Sequence, residues 1–102
     1  MQKREVVLAR GARIDYLEIV AFVYSVMSPS GALRYSDGMR AEIQTLSHLA
    51  DCWPQSRSKQ LLRIHPQARR MVSHNRKWQY VFHIEDSFVV IDRILPAKMV
   101  KE

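Results

Sequence analysis

A chain of 102 residues is long enough to enclose one hydrophobic core and too short for two, so we expect a single domain over residues 1–102. No stretch approaches the roughly 18 apolar residues of a membrane span, and the N-terminus lacks the apolar segment of a signal peptide. The single cysteine, Cys52, excludes an internal disulfide bond. We therefore expect a cytoplasmic protein in which Cys52 is a small buried apolar residue.

The excess of positive charge is confined to the second half of the chain. Residues 1–51 carry six basic and six acidic side chains, whereas residues 52–102 carry ten basic and four acidic ones. The whole net charge of +6 therefore lies in the second half, and segment 57–77 contains seven basic side chains and no acidic one. This asymmetry indicates an anionic partner, either nucleic acid or an acidic protein segment. A solvated surface without a partner is the alternative.

The first predicted elements are a strand and an unusually apolar helix. Glu5–Ala9 is a short strand that Gly11 ends, and the helix extends from Ala12 to Met27. One face of the helix carries Ile14, Leu17, Ala21 and Tyr24, and much of the remainder is also apolar through Ile19, Phe22, Val23 and Val26. A helix that is apolar nearly all round must be covered on more than one side. This pattern predicts either burial under a second helix or an interface with another protein.

A second helix follows after a short break. Ser28 is a suitable N-cap, and Pro29 suits the first helical position because no intrahelical bond needs its missing N–H. The apolar spacing predicts a helix from about Ser30 to Ala50 that ends before Cys52-Trp53-Pro54. Two helices joined by so short a link should pack as an antiparallel hairpin.

The rest of the chain is predicted to be a polar loop followed by three strands. The loop is Gln55–Lys59, the strands are Ala68–Ser73, Gln79–Ile84 and Phe88–Leu95, and the turns are Asn75-Arg76 and Glu85-Asp86-Ser87. Pro96 ends the last strand because it cannot donate to a ladder. The predicted fold class is α+β, with an N-terminal strand, a helical hairpin and a three-stranded antiparallel meander. The helices should cover one face of the sheet and leave the other open to carry function.

Four segments resemble motifs of one known family in their order and spacing. They are Ala12-Arg-Ile-Asp-Tyr-Leu-Glu-Ile-Val-Ala-Phe22 at the start of the first helix, Pro29-Ser-Gly-Ala-Leu-Arg-Tyr35 at the start of the second, Ile43-Gln-Thr-Leu46 with Pro54-Gln-Ser-Arg57 at its exit, and Tyr80-Val-Phe-His-Ile-Glu85 with Val90-Ile-Asp-Arg-Ile-Leu95 in the closing hairpin. Together they resemble the RelE/ParE family of bacterial toxins from toxin–antitoxin pairs. The resemblance covers about residues 5–99 and implies a βααβββ fold.

The resemblance also implies a growth-inhibiting toxin that a cognate antitoxin, encoded beside it, neutralises. Members that resemble ParE, which include plasmid stabilisation proteins, poison DNA gyrase, and members that resemble RelE cleave messenger RNA on the ribosome. In the RNase branch an arginine follows an aromatic residue at the start of the penultimate strand, whereas here Gln79 follows Trp78. The ending Arg93-Ile-Leu-Pro-Ala-Lys-Met99 is closer to the ParE-like ending. We therefore interpret the chain as a ParE-like toxin rather than a catalyst.

Two alternatives stay open. One is a ribosome-dependent mRNA endoribonuclease whose site uses His83, Arg93, Lys98 and Gln79, with arginine, lysine and histidine as the groups that neutralise the phosphorane and move protons. The other is a basic binding module without toxicity. None of the four histidines has the spacing of a metal pair, so we expect no metal and no cofactor.

The candidate binding residues form two sets. Contact with the target or with nucleic acid is predicted for Arg69, Arg70, Arg76, Lys77, Trp78, Arg93 and Lys98, although the adjacent Arg69 and Arg70 should point to opposite faces of a strand. Contact with the antitoxin is predicted for Leu17, Ile19, Phe22, Val23, Val26, Met27 and Arg63. Either a homodimer or a heterotetramer with the antitoxin is compatible with these surfaces.

Overall fold

The computed structural model describes residues 3–99. Its elements are strand β1 (Glu5–Leu8), helices α1 (Arg10–Val26), α2 (Pro29–Leu49) and α3 (Lys59–Ile64), and strands β2 (Arg69–Val72), β3 (Trp78–Glu85) and β4 (Phe88–Pro96). Single 3-10 turns follow α2 at Ala50–Cys52 and β4 at Ala97–Met99. This order confirms the predicted α+β arrangement, to which α3 is an addition. None of the helices within residues 3–99 is both long and apolar enough to cross a bilayer.

The four strands form one sheet in the order β1-β4-β3-β2. Strands β2, β3 and β4 are antiparallel neighbours, as predicted, and β1 pairs in parallel with β4. The β3–β4 register shifts between Val81 and Phe82, because Val81 pairs with Arg93 and Phe82 with Ile91. Asp92 is therefore the extra residue of a β-bulge, which redirects its side chain.

The main core lies between the sheet and the helical hairpin. Tyr80 and Phe82 of β3, Ile91 of β4 and Leu46 of α2 are fully buried there. The strand residues share one face because side chains alternate along a strand. Ser28 caps α2 as predicted: its hydroxyl oxygen accepts a hydrogen bond from the Gly31 N–H at 3.2 Å.

A second, smaller core covers part of the opposite sheet face. Leu61 of α3 is fully buried against Val81 of β3 and Ala68, with Ile64 and Leu95 packed around them. The prediction that this face is open is therefore wrong for the part under α3. Helix α3 is only six residues long, and Ser58 caps it by accepting a hydrogen bond from the Leu61 N–H at 3.5 Å.

Cys52 is exposed, so the expectation that it is a buried apolar residue is wrong. The 3-10 turn after α2 directs Ala50 into the core, and Trp53, three residues further along the chain, packs against the same core. Cys52 lies between these two inward-facing residues and points to solvent.

Candidate functional site

Helix α1 presents large apolar side chains to solvent. Phe22 and Val26 are 62% and 61% exposed, and Leu17 and Met27 are exposed as well. We call Phe22 and Val26, which are one helical turn apart, the α1 patch, because exposed apolar side chains that adjoin one another often mark a binding surface. Leu17 lies on a different side of the helix. Leu17, Phe22, Val26 and Met27 are the apolar members of the predicted antitoxin set that the structure leaves exposed, and Arg63 is exposed as well.

Two residues of the predicted antitoxin set belong to the core instead. Ile19 is 7% exposed and Val23 is 4% exposed, and both pack in the main core. They are one helical turn apart and lie on the side of α1 that faces the sheet. The prediction that Ile19 and Val23 are part of an accessible surface is therefore wrong.

Arg63 also lies apart from the α1 patch. It is on α3, whose buried residue Leu61 packs against Val81, on the sheet face opposite to the main core. Because α1 covers the other face, Arg63 and the α1 patch lie on different sides of the sheet, and the antitoxin contact of Arg63 stays a prediction.

A groove of about 370 Å³ runs between α1 and the second half of β4. Its floor and walls include Phe22, Trp78, Leu95, Pro96 and Met99. The groove exists because β1 pairs only with Phe88–Ile91, which leaves the edge of β4 beyond residue 91 without a strand neighbour. The α1 patch and the groove meet at Phe22, and Asp15, Glu18 and Arg93 also line the groove.

Asp15 closes the exposed edge of β4 with three hydrogen bonds. Its carboxylate accepts from Arg93 Nε at 2.7 Å, from Arg93 Nη2 at 3.1 Å and from the Ile94 N–H at 2.9 Å. The bond to Asp15 raises the pKa of the Arg93 guanidinium above its usual value. Gly11 leaves room for this pair, because a Cβ there would meet Arg93 Cδ at 2.8 Å. Arg93 is therefore bound to α1 rather than free for an anionic target. The sequence did not predict Asp15 as its partner, because the two residues are 78 positions apart.

Gln79, in the position of the RNase arginine, is fully buried. Its amide oxygen accepts a hydrogen bond from Arg70 Nη1 at 3.0 Å, and its amide nitrogen donates to the Pro96 carbonyl at 3.2 Å. Both ends of the amide are thus occupied by protein groups. The expectation that Gln79 could contact a substrate phosphate is wrong in this arrangement, since Gln79 links β2 to the end of β4.

His83 is enclosed by three polar side chains on the face that α3 partly covers. Its Nδ1 lies 2.6 Å from an Asp92 carboxylate oxygen, and its Nε2 lies 3.2 Å from one of Glu85. The ring of His65 stacks on the His83 ring, with centroids 3.6 Å apart and planes at 2°. The bulge at Asp92 brings that carboxylate to His83. With both ring nitrogens engaged and the side chain 8% exposed, His83 is not available as a general base in this state.

The β2–β3 turn holds two exposed cations rigidly. Arg76 has φ 62, in the left-handed region that non-glycine residues rarely adopt, and Lys77 follows it. The turn is fixed to α2 because the Tyr35 hydroxyl oxygen accepts from Asn75 Nδ2 at 3.1 Å and from Trp78 Nε1 at 2.8 Å. The indole N–H of Trp78 is therefore bonded within the protein, and the residue also lines the α1–β4 groove.

Glu42 anchors the same turn from α2. Its carboxylate accepts from the His74 N–H at 2.5 Å and from the Tyr80 hydroxyl at 3.0 Å. Burial and the Glu42 charge both raise the pKa of Tyr80 far above its usual value. Sequence reasoning missed Glu42 and Tyr35, since neither residue type signals a turn anchor at a distance of more than thirty positions.

The remaining basic candidates are distributed over separate places. Lys98 lies on the turn after β4, where the Ala97 N–H donates to the Lys77 carbonyl at 2.9 Å, so Lys98 is close to the β2–β3 turn. Arg69 Nη1 donates to the Trp53 carbonyl at 2.6 Å on one face of β2, and Arg70 bonds Gln79 on the other, as the alternation along a strand predicts. The structure therefore groups Arg76, Lys77 and Lys98 but does not bring Arg93 or His83 to them.

The strand, helical hairpin and antiparallel meander define the βααβββ class of α+β fold, with exposed apolar side chains on α1 and exposed cations at the β2–β3 turn. No family model and no curated protein matches the chain. The structure is similar to a chain in the solved structure of the chromosomal ParDE TA system from P. aeruginosa, with a TM-score of 0.75 and 17% sequence identity over 92% of this chain and 96% of that one. The likeness shows a shared fold, and the RelE/ParE resemblance is confirmed at that level.

Proposed function

We propose that the chain is the toxin of a type II toxin–antitoxin pair, that it inhibits DNA gyrase in the cytoplasm, and that a cognate antitoxin neutralises it. The observation that carries this proposal is the shared fold with a chain of the ParDE TA system, which extends over nearly the whole of both chains. A fold alone does not define a function. The remaining support for the proposed function therefore comes from the surface residues of this chain.

The side chains favour binding over RNA cleavage. A ribonuclease site needs a base and cations that converge on one phosphate. Here His83 is enclosed by Asp92 and Glu85, Gln79 is buried, and Arg93 is directed to Asp15 on α1. Lys98 lies beside the β2–β3 turn. These side chains are directed to different parts of the protein and do not converge on one phosphate. Such an arrangement fits a protein that inhibits its target by binding rather than by catalysis.

The α1 patch supports the antitoxin part of the proposal. An apolar surface that is continuous with a groove would be stabilised by an amphipathic segment of another protein. The excess of positive charge in the second half of the chain favours an acidic partner. The antitoxin would thus cover Phe22, Val26 and the groove beside them, in a heterodimer or a heterotetramer.

The test is controlled expression in bacteria. We expect growth arrest with altered plasmid supercoiling and an SOS response, and we expect that co-expression of the neighbouring reading frame restores growth. Messages cut on the ribosome, with cleavage abolished by His83→Ala, would contradict the gyrase proposal and favour the endoribonuclease. Normal growth at high expression would favour a binding module without toxicity.

A further inference from the structure

The outward side of α1 carries an apolar face that lies outside the core. Its four residues are all exposed and recur at intervals of three, four and three positions: Ile14, Leu17, Ala21 and Tyr24. Ile14 is 46% exposed, Leu17 is 61% exposed and Tyr24 is 45% exposed. With about 3.6 residues per turn, these positions lie on the side of the helix opposite to Ile19 and Val23, which pack in the core. We call these four residues the outer seam.

The outer seam is separate from the α1 patch and from the α1–β4 groove. Phe22 lines that groove together with Asp15, Glu18 and Ile19 of the same helix, whereas none of the four seam residues lines it. Leu17 therefore belongs to a face that a segment bound in the groove would leave exposed. Because the outer seam is neither buried nor part of the antitoxin surface proposed above, its apolar side chains favour a separate binding role.

The spacing of the outer seam is that of a two-stranded coiled coil. Apolar residues that alternate between intervals of three and four occupy positions a and d of a heptad repeat. Ile14 and Ala21 then occupy position a, and Leu17 and Tyr24 occupy position d. A β-branched residue at a with leucine at d favours two parallel helices. The outer seam therefore fits another helix of the same apolar pattern, aligned in the same direction.

Two flanking charges are self-complementary between copies of α1. Arg13 occupies position g and Glu18 occupies the following position e, and both are exposed. In a parallel pair, g of one helix lies beside the following e of the other, so each Arg13 would meet a Glu18 of the second copy. The contact would form twice, once on each side of the two-fold axis. An antiparallel pair lacks this match, because it places g beside g, and the other g residue is Val20.

Two features limit the strength of this contact. Arg13 Nη2 donates to the Leu8 carbonyl at 3.3 Å, and this long, exposed bond would be exchanged for the ion pair or shared with it. Arg10 is the next d position toward the N-terminus, where two copies would bring like charges together. The contact is therefore confined to residues 13–24, or roughly three turns. Such an interface is smaller than the standard of about 1,600 Å², so we expect a dissociation constant of about 10–100 µM.

We propose that the outer seam joins two copies of this chain through parallel α1 helices. Ile14, Leu17 and Tyr24 pack against the same residues of the second copy, and two Arg13–Glu18 pairs flank them. The α1 patch and the groove lie outside this contact. The inference does not depend on the proposed function, because it rests on the spacing, the exposure and the charges of α1 alone.

Sedimentation velocity of the full chain at increasing concentration tests the contact. We expect the wild type to change from monomer to dimer between about 5 and 500 µM, a range that brackets the expected dissociation constant. Leu17→Glu places like charges opposite each other in the seam and should stay monomeric throughout. Phe22→Glu is the matched control, since Phe22 is on the same helix and 62% exposed, and it should dimerise like the wild type. Both variants should remain folded and melt cooperatively, because the replaced side chains are exposed.

A charge exchange tests the register and the direction of the two helices. Arg13→Glu alone and Glu18→Arg alone each place like charges at both flanking contacts, so each variant should dimerise about tenfold more weakly. Mixing the two variants should restore the wild-type affinity in the heterodimer, because every flanking contact then joins a glutamate to an arginine.

Three results would overturn the inference. They are a wild type that is monomeric at every concentration, a Leu17→Glu variant that still dimerises, and a mixture of the two charge variants that shows no recovery. Loss of the dimer in Phe22→Glu would also overturn it, since self-association would then use the α1 patch. The growth assay does not depend on these results, so failure of the dimer and failure of the toxin proposal are distinguishable.

Discussion

Two pairs of residues on α1 allow a matched test of which face recognises a partner. Phe22 and Val26 are four residues apart and exposed, and Ile19 and Val23 are four residues apart and buried. We compare two double variants. One combines Phe22→Ser with Val26→Ser, and the other combines Ile19→Ser with Val23→Ser. The helix, the spacing and the introduced residue are the same in both variants. The two variants differ in how deeply the replaced side chains are buried. They also differ in that the first loses the phenyl group of Phe22 and the second loses the sec-butyl group of Ile19.

The exposures set the expected magnitudes. Full burial of such side chains contributes about 1.5–3 kcal/mol, so side chains that bury roughly a third of their surface contribute about 0.5–1 kcal/mol each. The exposed pair should therefore lower the free energy of unfolding by about 1–2 kcal/mol in total. The buried pair should lower it by about 4 kcal/mol or more, since each truncation leaves a cavity and inserts a hydroxyl group.

Urea denaturation and co-purification with the neighbouring reading frame measure the two effects. We expect the exposed pair to fold and to lose its partner, because a central apolar anchor contributes about 2 kcal/mol or more to binding. The loss in the buried-pair variant should approach the whole free energy of unfolding of a small domain, about 5–15 kcal/mol. This variant should therefore unfold at low urea concentration. An equal loss of stability in both variants would refute the assignment of Phe22 and Val26 to a recognition surface.

Three further predictions follow from single contacts. Gly11→Ala should destabilise the fold by about 1–3 kcal/mol, because the new methyl group meets the Arg93 side chain of β4. Gly38→Ala should stabilise α2 by about 0.5–1 kcal/mol, since nothing lies within 4 Å of the new methyl group. Chemical denaturation of both variants checks these opposite signs. The raised pKa of Tyr80 means that the unfolded chain loses the phenol proton first, so stability should fall as pH rises past about 10, and less so in Tyr80→Phe, in melts between pH 7 and 11. If the β2–β3 turn contacts phosphates, replacing Arg76 and Lys77 with glutamine should weaken duplex DNA binding and reduce the salt slope by about 2; an unchanged slope would assign these cations to solvation.

The elements were predictable because their patterns are local. Alternation along β3 and β4, the cap at Ser28 and the three-to-four spacing in α2 each depend on neighbours a few positions away. Helix α3 was missed because six residues contain less than two turns, too few to show a period. The Ser58 cap was the one local signal that could have revealed it.

The candidate site was less predictable because its contacts join distant residues. A helix that is apolar all round does not reveal which side faces the sheet, so Ile19 and Val23 could not be separated from Phe22 by pattern alone. The Arg93–Asp15 pair spans 78 positions, and it depends on β1 leaving the second half of β4 uncovered. Both features depend on the order of the strands and helices in space, which hydrophobic periodicity and composition do not predict.

Inhibition of gyrase is tested most directly with the purified chain, purified DNA gyrase and relaxed plasmid. We expect the chain to inhibit supercoiling and the protein encoded beside it to reverse the inhibition. We also expect ribosomes programmed with messenger RNA to leave the message intact in the presence of the chain. Unimpaired supercoiling together with cut messenger RNA would contradict the gyrase proposal.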